Sequence, residues 1–242
     1  MEKKQKLPRE KRVLIVGASR GVGKETVKLF AAAGYKILAV ARDKDGLAKL
    51  KKNIGTSVCP FPGNIVEPGF IKKLAKEAGN IDILIYLAAR TAHGPFLNSD
   101  PEELRNALEI NVEALVRISQ FVAQNMVVRK KGHIIIVSSI LARQVYPLTT
   151  FYAATKHAVA AIARGMRIEL AEFGIRVTEI APGLLDTTFM EGANHPQVIE
   201  TYSKRNRTRL SAKEVAEAIF YASQTDKKTA IELISLNPLG QV

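Results

Sequence analysis

Strand-length apolar runs alternate with stretches of helical period along almost the whole chain, and no other feature narrows the possible folds so far. The first run is Val13-Leu14-Ile15-Val16, followed by glycines and a helical stretch to Ala33 that Gly34 stops. Lys36–Ala41 is the next run, followed by a polar helix over Asp45–Asn53, a short strand at Ser57–Phe61 and a helix over Pro68–Ala78. Ile81–Ala88 is apolar throughout. Ser99-Asp100-Pro101-Glu102 then opens a long helix, with proline in the first turn and acids suited to the helix dipole. His133–Ser138 and Ile175–Ala181 are further strands, separated by a helix over Phe151–Phe173. Ser211 caps a helix to Ser223, and Ala230–Leu236 completes the alternation.

Strands that are apolar along their whole length must be covered on both faces, which is the condition of a parallel sheet with crossover helices. The pattern therefore predicts an α/β fold: one doubly wound, Rossmann-like domain with a mostly parallel, seven-stranded sheet and about six helices on its two faces. The domain spans 11–242, behind a basic, flexible tail over 1–10. Residues 182–210 read as irregular. A structureless connection of that length is rare, so about 184–210 is expected to form a lid.

Composition excludes several classes. Cys59 is the only cysteine, so no internal disulfide can form; a reducing cytoplasm is the expected setting, with Cys59 as filler in the core. No apolar run approaches the ~20 residues of a membrane span, and MEKKQKLPREKR lacks the apolar core of a signal peptide. The net charge of +13 raises the question of a nucleic-acid or membrane partner, but residues 1–12 alone hold six Lys/Arg against two Glu. The rest is spread thinly, without an aromatic-rich basic face, and reads as solvated surface. His93, His133, His157 and His195 show no ligand spacing, so no metal is expected.

Between the first strand and the first helix stands Gly17-Ala18-Ser19-Arg20-Gly21-Val22-Gly23. A glycine at a strand end permits a tight turn. A second lets backbone approach a pyrophosphate, a third lets helix and strand pack closely, and the helix N-terminus offers amides and a positive dipole. Further along, Tyr152 and Lys156 lie four apart at the start of a helix and so share a face. A free tyrosine ionises near pH ~10; a nearby ammonium favours the phenolate and fits the pair for acid–base work near neutrality. Ser139 and Pro182-Gly183 stand at the carboxyl ends of strands, and Asn111 sits inside the long helix, where an amide does little for helix stability. All of these positions converge on the sheet edge that holds the glycine turn.

In order and spacing, GASRGVG (17–23), Asn111 in EINVEAL, Ser139 in IIIVSSI, YAATK (152–156), IRV (175–177) and PGLLDT (182–187) resemble the short-chain dehydrogenases/reductases over residues 11–236. The resemblance implies a nicotinamide cofactor, a small carbonyl or secondary-alcohol substrate and a homodimer or homotetramer. It implies Tyr152 as proton donor to the substrate carbonyl and Lys156 as the ribose-binding group that lowers the tyrosine's pKa. Ser139 would hydrogen-bond the carbonyl, and Asn111 would hold a relay water. It puts the cofactor along Gly17, Ser19, Arg20, Gly21, Val22 and Gly23, with Arg42, Asn64, Ile65, Ala88 and Ala89 toward the adenosine. Tyr152, Lys156, Pro182, Gly183, Leu185 and Thr187 would flank the nicotinamide end. The chain departs from the family pattern at Tyr86-Leu87-Ala88-Ala89, where two asparagines, alanine and glycine are usual, at Val16 in place of threonine, and at Asn64 in place of aspartate.

Cofactor choice turns on the end of the second strand. A carboxylate there would chelate the ribose hydroxyls of NAD; here Ala41 and Arg42 stand instead, with Arg20 in the glycine turn. Two guanidinium groups suit a phosphate dianion, which favours NADP(H), and Asp43 is expected to begin the following helix. The stretch LSAKEVAEAIFYAS…IELISLNP is similar to the branch that oxidises serine and 3-hydroxy acids. Lys204, Arg205, Arg207 and Arg209 in the lid would either be solvated or receive a substrate carboxylate. The rival readings are a 3-oxoacyl-carrier-protein reductase, which would share the same four polar residues, and a non-catalytic nucleotide-sensing or nucleic-acid-binding protein on the same fold.

Overall fold

The computed structural model describes residues 11–186, 195–204, 208–226 and 228–239. Seven strands form one sheet: β1 (Arg12–Val16), β2 (Lys36–Ala41), β3 (Val58–Pro62), β4 (Ile83–Tyr86), β5 (Gly132–Val137), β6 (Ile175–Pro182) and β7 (Leu233–Leu236). Their order is β3-β2-β1-β4-β5-β6-β7 and every ladder is parallel. The chain runs outward from β1 to β3, then crosses back to β4. The carboxyl ends of β1 and β4 therefore splay apart at a topological switch point, where this class of sheet forms its ligand crevice.

Both faces are covered, as the apolar runs require. Leu14 and Val16 of β1 pack with Leu74 of α3 (Phe70–Ala78), Leu115 and Ile118 of α5 (Ala114–Val128) and Val159 of α6 (Thr150–Leu170). Val13 and Ile15 point the other way. They meet Val27 and Phe30 of α1 (Gly21–Ala32), Leu47 of α2 (Lys44–Ile54) and Ile219 of α8 (Ala212–Gln224). Two-sided burial of alternate residues explains why the strand reads as a continuous apolar run.

The helix starts follow local chemistry. Asp43 caps α2 by accepting from the Gly46 amide at 2.9 Å, as expected of it. Asp100 caps α4 (Pro101–Leu108), which has proline in its first turn. Ser211 and Glu214 form a reciprocal capping box at α8. The long helix expected from Ser99 onward is not uniform: α4 and α5 are joined by a π turn over Glu109–Glu113.

Two expectations are corrected. Residues 182–210 are not irregular throughout, because α7 (Pro196–Lys204) lies among them with Val198 fully buried. The bases of that excursion are tied by a parallel bridge between Leu185 and Leu210, with Asp186 N–H donating to Leu210 at 2.8 Å and Leu210 N–H to Leu184 at 2.9 Å. Cys59 is exposed rather than core filler, since β3 is an edge strand whose alternate residues turn outward.

Candidate active site

The glycine turn is folded tightly on its neighbours. The Gly17 and Ala18 amides both donate to the Val40 carbonyl, at 2.9 and 3.0 Å, tying the end of β1 to β2. Gly17 has φ +92°, and a Cβ there would stand 2.8 Å from the Ala88 amide nitrogen. A Cβ on Gly23 would lie 1.9 Å from the Gly17 carbonyl oxygen. Only glycine fits either position. Arg20 precedes α1 and lends its amides no side-chain bond, so the helix N-terminus presents its donors to the crevice. These features fit a pyrophosphate at the α1 N-terminus.

A cleft of about 940 Å³ opens along the sheet edge from this turn. It brings together nearly all the residues singled out in the sequence. Gly17, Ser19, Arg20, Gly21, Val22 and Gly23 form one wall, and Arg42, Asn64, Ile65, Ala88 and Ala89 extend it. Ser139, Tyr152, Lys156, Pro182, Gly183 and Leu185 line the other end. Thr187, Arg205 and Arg207 lie outside the described residues, as does the side chain of Lys204; Arg209 is exposed. Thr201 of α7 also lines the cleft.

At the polar end, Tyr152 and Lys156 come from the first turns of α6, and both are buried. The Lys156 ammonium lies 5.5 Å from the centre of the Tyr152 ring and donates to the Val137 carbonyl at 3.2 Å. Burial pulls the Lys156 pKa down to about 8, while the carboxylate of Glu179 acts in the opposite sense. Ser139 closes the other side. Its hydroxyl accepts from the Leu141 amide at 3.1 Å and donates to the Pro182 carbonyl at 3.5 Å, fixing the ends of β5 and β6 relative to each other.

Asn111 does not line the cleft. Its Oδ1 accepts from Arg90 N–H at 2.8 Å, and its amide donates to Arg90 O and to Thr155 Oγ1, both at 3.0 Å. Thr155 in turn donates to the Tyr152 carbonyl at 2.8 Å. Asn111 therefore clamps the segment after β4 against the helix that carries Tyr152. The π turn that holds it is tied to β4 through the Tyr86 hydroxyl, which donates to the Ile110 carbonyl at 2.6 Å. Burial holds that phenol well above the usual tyrosine range. Tyr86 stands where the family usually has asparagine, and this bond gives it a structural role.

Several cleft residues had no signal in the sequence. The His93 ring lies 4.7 Å from the Tyr152 ring, tilted by 31°, with its Nδ1 against the Thr91 hydroxyl. Burial lowers its pKa to about 4, so the ring is neutral at physiological pH. Ile140, Leu141, Tyr146 and Pro147 give the same end an apolar wall. Glu179 was also missed, although an acid inside an otherwise apolar strand was the signal that could have found it.

A parallel sheet with a glycine-turn crevice and a Tyr–Lys–Ser cluster at its polar end defines a nicotinamide-type oxidoreductase scaffold. The family model described as short chain dehydrogenase matches residues 11–198, and the chain belongs to that family. Within it, the chain resembles the serine dehydrogenases. A closed form of serine dehydrogenase complexed with NADP+ superposes with a TM-score of 0.89 at 27% identity, covering 96% of each chain. Serine dehydrogenase from Escherichia coli gives 0.82 at 27% identity, over 96% of this chain and 99% of its own. An uncharacterized oxidoreductase of Staphylococcus saprophyticus is 28% identical over 238 residues, 95% of this chain and 98% of the relative.

Proposed function

We propose that this protein is an NADP(H)-dependent oxidoreductase that interconverts a small carbonyl compound and its secondary alcohol, with a 3-hydroxy acid or related compound as substrate. The observation that carries the reading is the convergence of Tyr152, Lys156 and Ser139 with the glycine turn on one cleft. When bound, the nicotinamide supplies or accepts the hydride. Tyr152 Oη gives its proton to the carbonyl oxygen during reduction and takes one from the hydroxyl during oxidation. Ser139 Oγ hydrogen-bonds that same oxygen. Lys156, steered by the Val137 carbonyl, would hold the ribose hydroxyls of the bound cofactor and favours the phenolate form of its neighbour. Both amide protons of Asn111 are engaged and its Oδ1 already accepts from Arg90 N–H, so a relay water would meet the second lone pair of Oδ1 or the main-chain carbonyl.

Arg20 and Arg42 line the adenosine corner together with Asp43, whose carboxylate is occupied in capping α2; this supports a 2′-phosphate there. The likeness to a serine dehydrogenase complexed with NADP+ supports the same choice and the hydroxy-acid class. The reading includes a homodimer or homotetramer, as the family resemblance implies, and a reducing cytoplasm, which the lone Cys59 supports. Among the described residues no helix is long and apolar enough to cross a membrane.

The test is NADP+ reduction with serine and 3-hydroxy acids beside their esters, and NADPH oxidation with a panel of aldehydes and ketones. Turnover with the acids ahead of the esters is expected. NADPH binding without turnover of any member would overturn the reading in favour of nucleotide sensing. Preference for carrier-linked 3-oxoacyl substrates would replace it with the reductase.

A further inference from the structure

We infer that Glu179 is a positioning residue, the buried counter-charge that holds the Lys156 ammonium beneath the cleft. In β6 the residues two and four places earlier, Val177 and Ile175, pack in the apolar cluster that includes Val159 and Ala163 of α6. Strand alternation turns Glu179 to that same face. It is nevertheless only 5% exposed, where an ionised carboxylate must be fully satisfied. Arg143 meets it with both arms of the guanidinium, at 2.9 and 2.6 Å, and the Ser138 hydroxyl donates to Oε1.

These partners belong to the catalytic frame. Ser138 lies between Val137, whose carbonyl holds Lys156, and Ser139. Arg143 closes the helical turn that Ser139 caps. One carboxylate thus ties together the backbone on both sides of the proposed proton-transfer site. An ion pair with one buried member adds little to stability compared with apolar residues of the same size, so stability gives little reason for a charge here. A nearby buried ammonium does.

Among the described residues no other charged group takes that part. His93 faces Tyr152 from the segment after β4 and is neutral. The π turn brings the neutral Asn111, half-buried Glu109, and Glu113 paired with Arg117. α4 packs in the same cluster as Tyr152 through Ala107, with Glu102 paired to Arg105 on the surface. Arg176 and Glu172 stand at the far ends of β6 and α6, where Arg176 is bound to Thr225. Tyr152 shares the helix with Lys156, and Arg143 is committed to Glu179. Glu179 remains as the group whose field opposes the desolvation of Lys156.

The consequence for turnover rests on the oxidoreductase reading, but the inference is tested without cofactor. In the free protein labelled with ε-13C-lysine, the Lys156 signal is assigned by its loss in Lys156→Met and titrated by NMR. The midpoint expected for the parent is about 8. Glu179→Gln lowers it, and Glu179→Asp restores it in part. An unchanged or raised midpoint in Glu179→Gln would overturn the inference. Should Glu179→Gln fail to fold, Glu179→Asp decides alone: the shorter carboxylate lowers the midpoint below the parent's, and an unchanged midpoint refutes the assignment. The alkaline limb of kcat/KM is a separate readout. If the lysine midpoint moves and that limb does not, the role given to Lys156 in turnover fails while the inference about Glu179 stands.

Discussion

Replacing Asn111 with alanine removes three hydrogen bonds from a side chain that is 1% exposed. Thr155 keeps its bond to the Tyr152 carbonyl, so the cost falls on the N–H and C=O of Arg90. A net hydrogen bond is worth ~1 kcal/mol and an abandoned buried polar group costs ~1–3 kcal/mol; Arg90 is half-buried and partly reached by water, so the sum is about 2–4 kcal/mol. In a domain of this size each kcal/mol lowers Tm by roughly 2–4 °C, and the variant should melt roughly 4–16 °C below the parent. Asn111→Asp keeps the volume but loses both donors, and should be at least as unstable at pH 7. Thermal melts with hydrogen exchange at the Arg90 amide measure both effects. Because Arg90 leads into Thr91 and His93, whose ring packs on Tyr152, kcat should fall too, although Asn111 is absent from the cleft wall. A melt within about 1 °C of the parent, with Arg90 still protected, would refute the clamp.

Two further outcomes are expected. Arg42→Ala should reduce kcat/KM with NADPH about tenfold or more and leave NADH nearly untouched, because a guanidinium–phosphate bond is charge-assisted; equal effects on both cofactors would remove the 2′-phosphate assignment. His133 lies at the start of β5 with its pKa lowered to about 3, first by burial and then by Arg176. The unfolded chain binds its proton near pH ~6.5, so the stability of the neutral folded form is complete above that value and drains as pH falls toward about 3. Urea titrations at pH 7 and pH 5 should therefore show His133→Gln losing ~1–2 kcal/mol less than the parent over that interval; identical losses would mean the histidine is not held neutral.

The strands and the cleft were legible because both rest on local pattern. A strand covered on two faces must be apolar throughout, and a turn between β1 and α1 must be glycine where a Cβ would strike Ala88 or the Gly17 carbonyl. Asp43 was legible as a cap because capping is a matter of three residues. What depends on distant partners was not. Nothing near residue 93 in the sequence points to Tyr152, and nothing near Glu179 points to Arg143. The π turn has no composition of its own; it is recognised only through its geometry and its tie to Tyr86. α7 was missed because a helix of only nine residues rests on one buried anchor, Val198. Cys59 was misread because apolar character alone does not distinguish an edge strand from a central one.

In the proposed reaction the phenol of Tyr152 is the group that exchanges a proton with the substrate oxygen. The decisive measurement is the kcat of Tyr152→Phe with the best substrate of the panel, alongside NADPH affinity from nicotinamide fluorescence, which no tryptophan obscures in this chain. The ring, its contact with His93 and its place beside Lys156 are kept, so affinity should stay within about threefold while kcat falls ~10²–10⁴-fold, the usual worth of general acid–base catalysis. A variant that binds NADPH and turns over at nearly the parental rate would contradict the account.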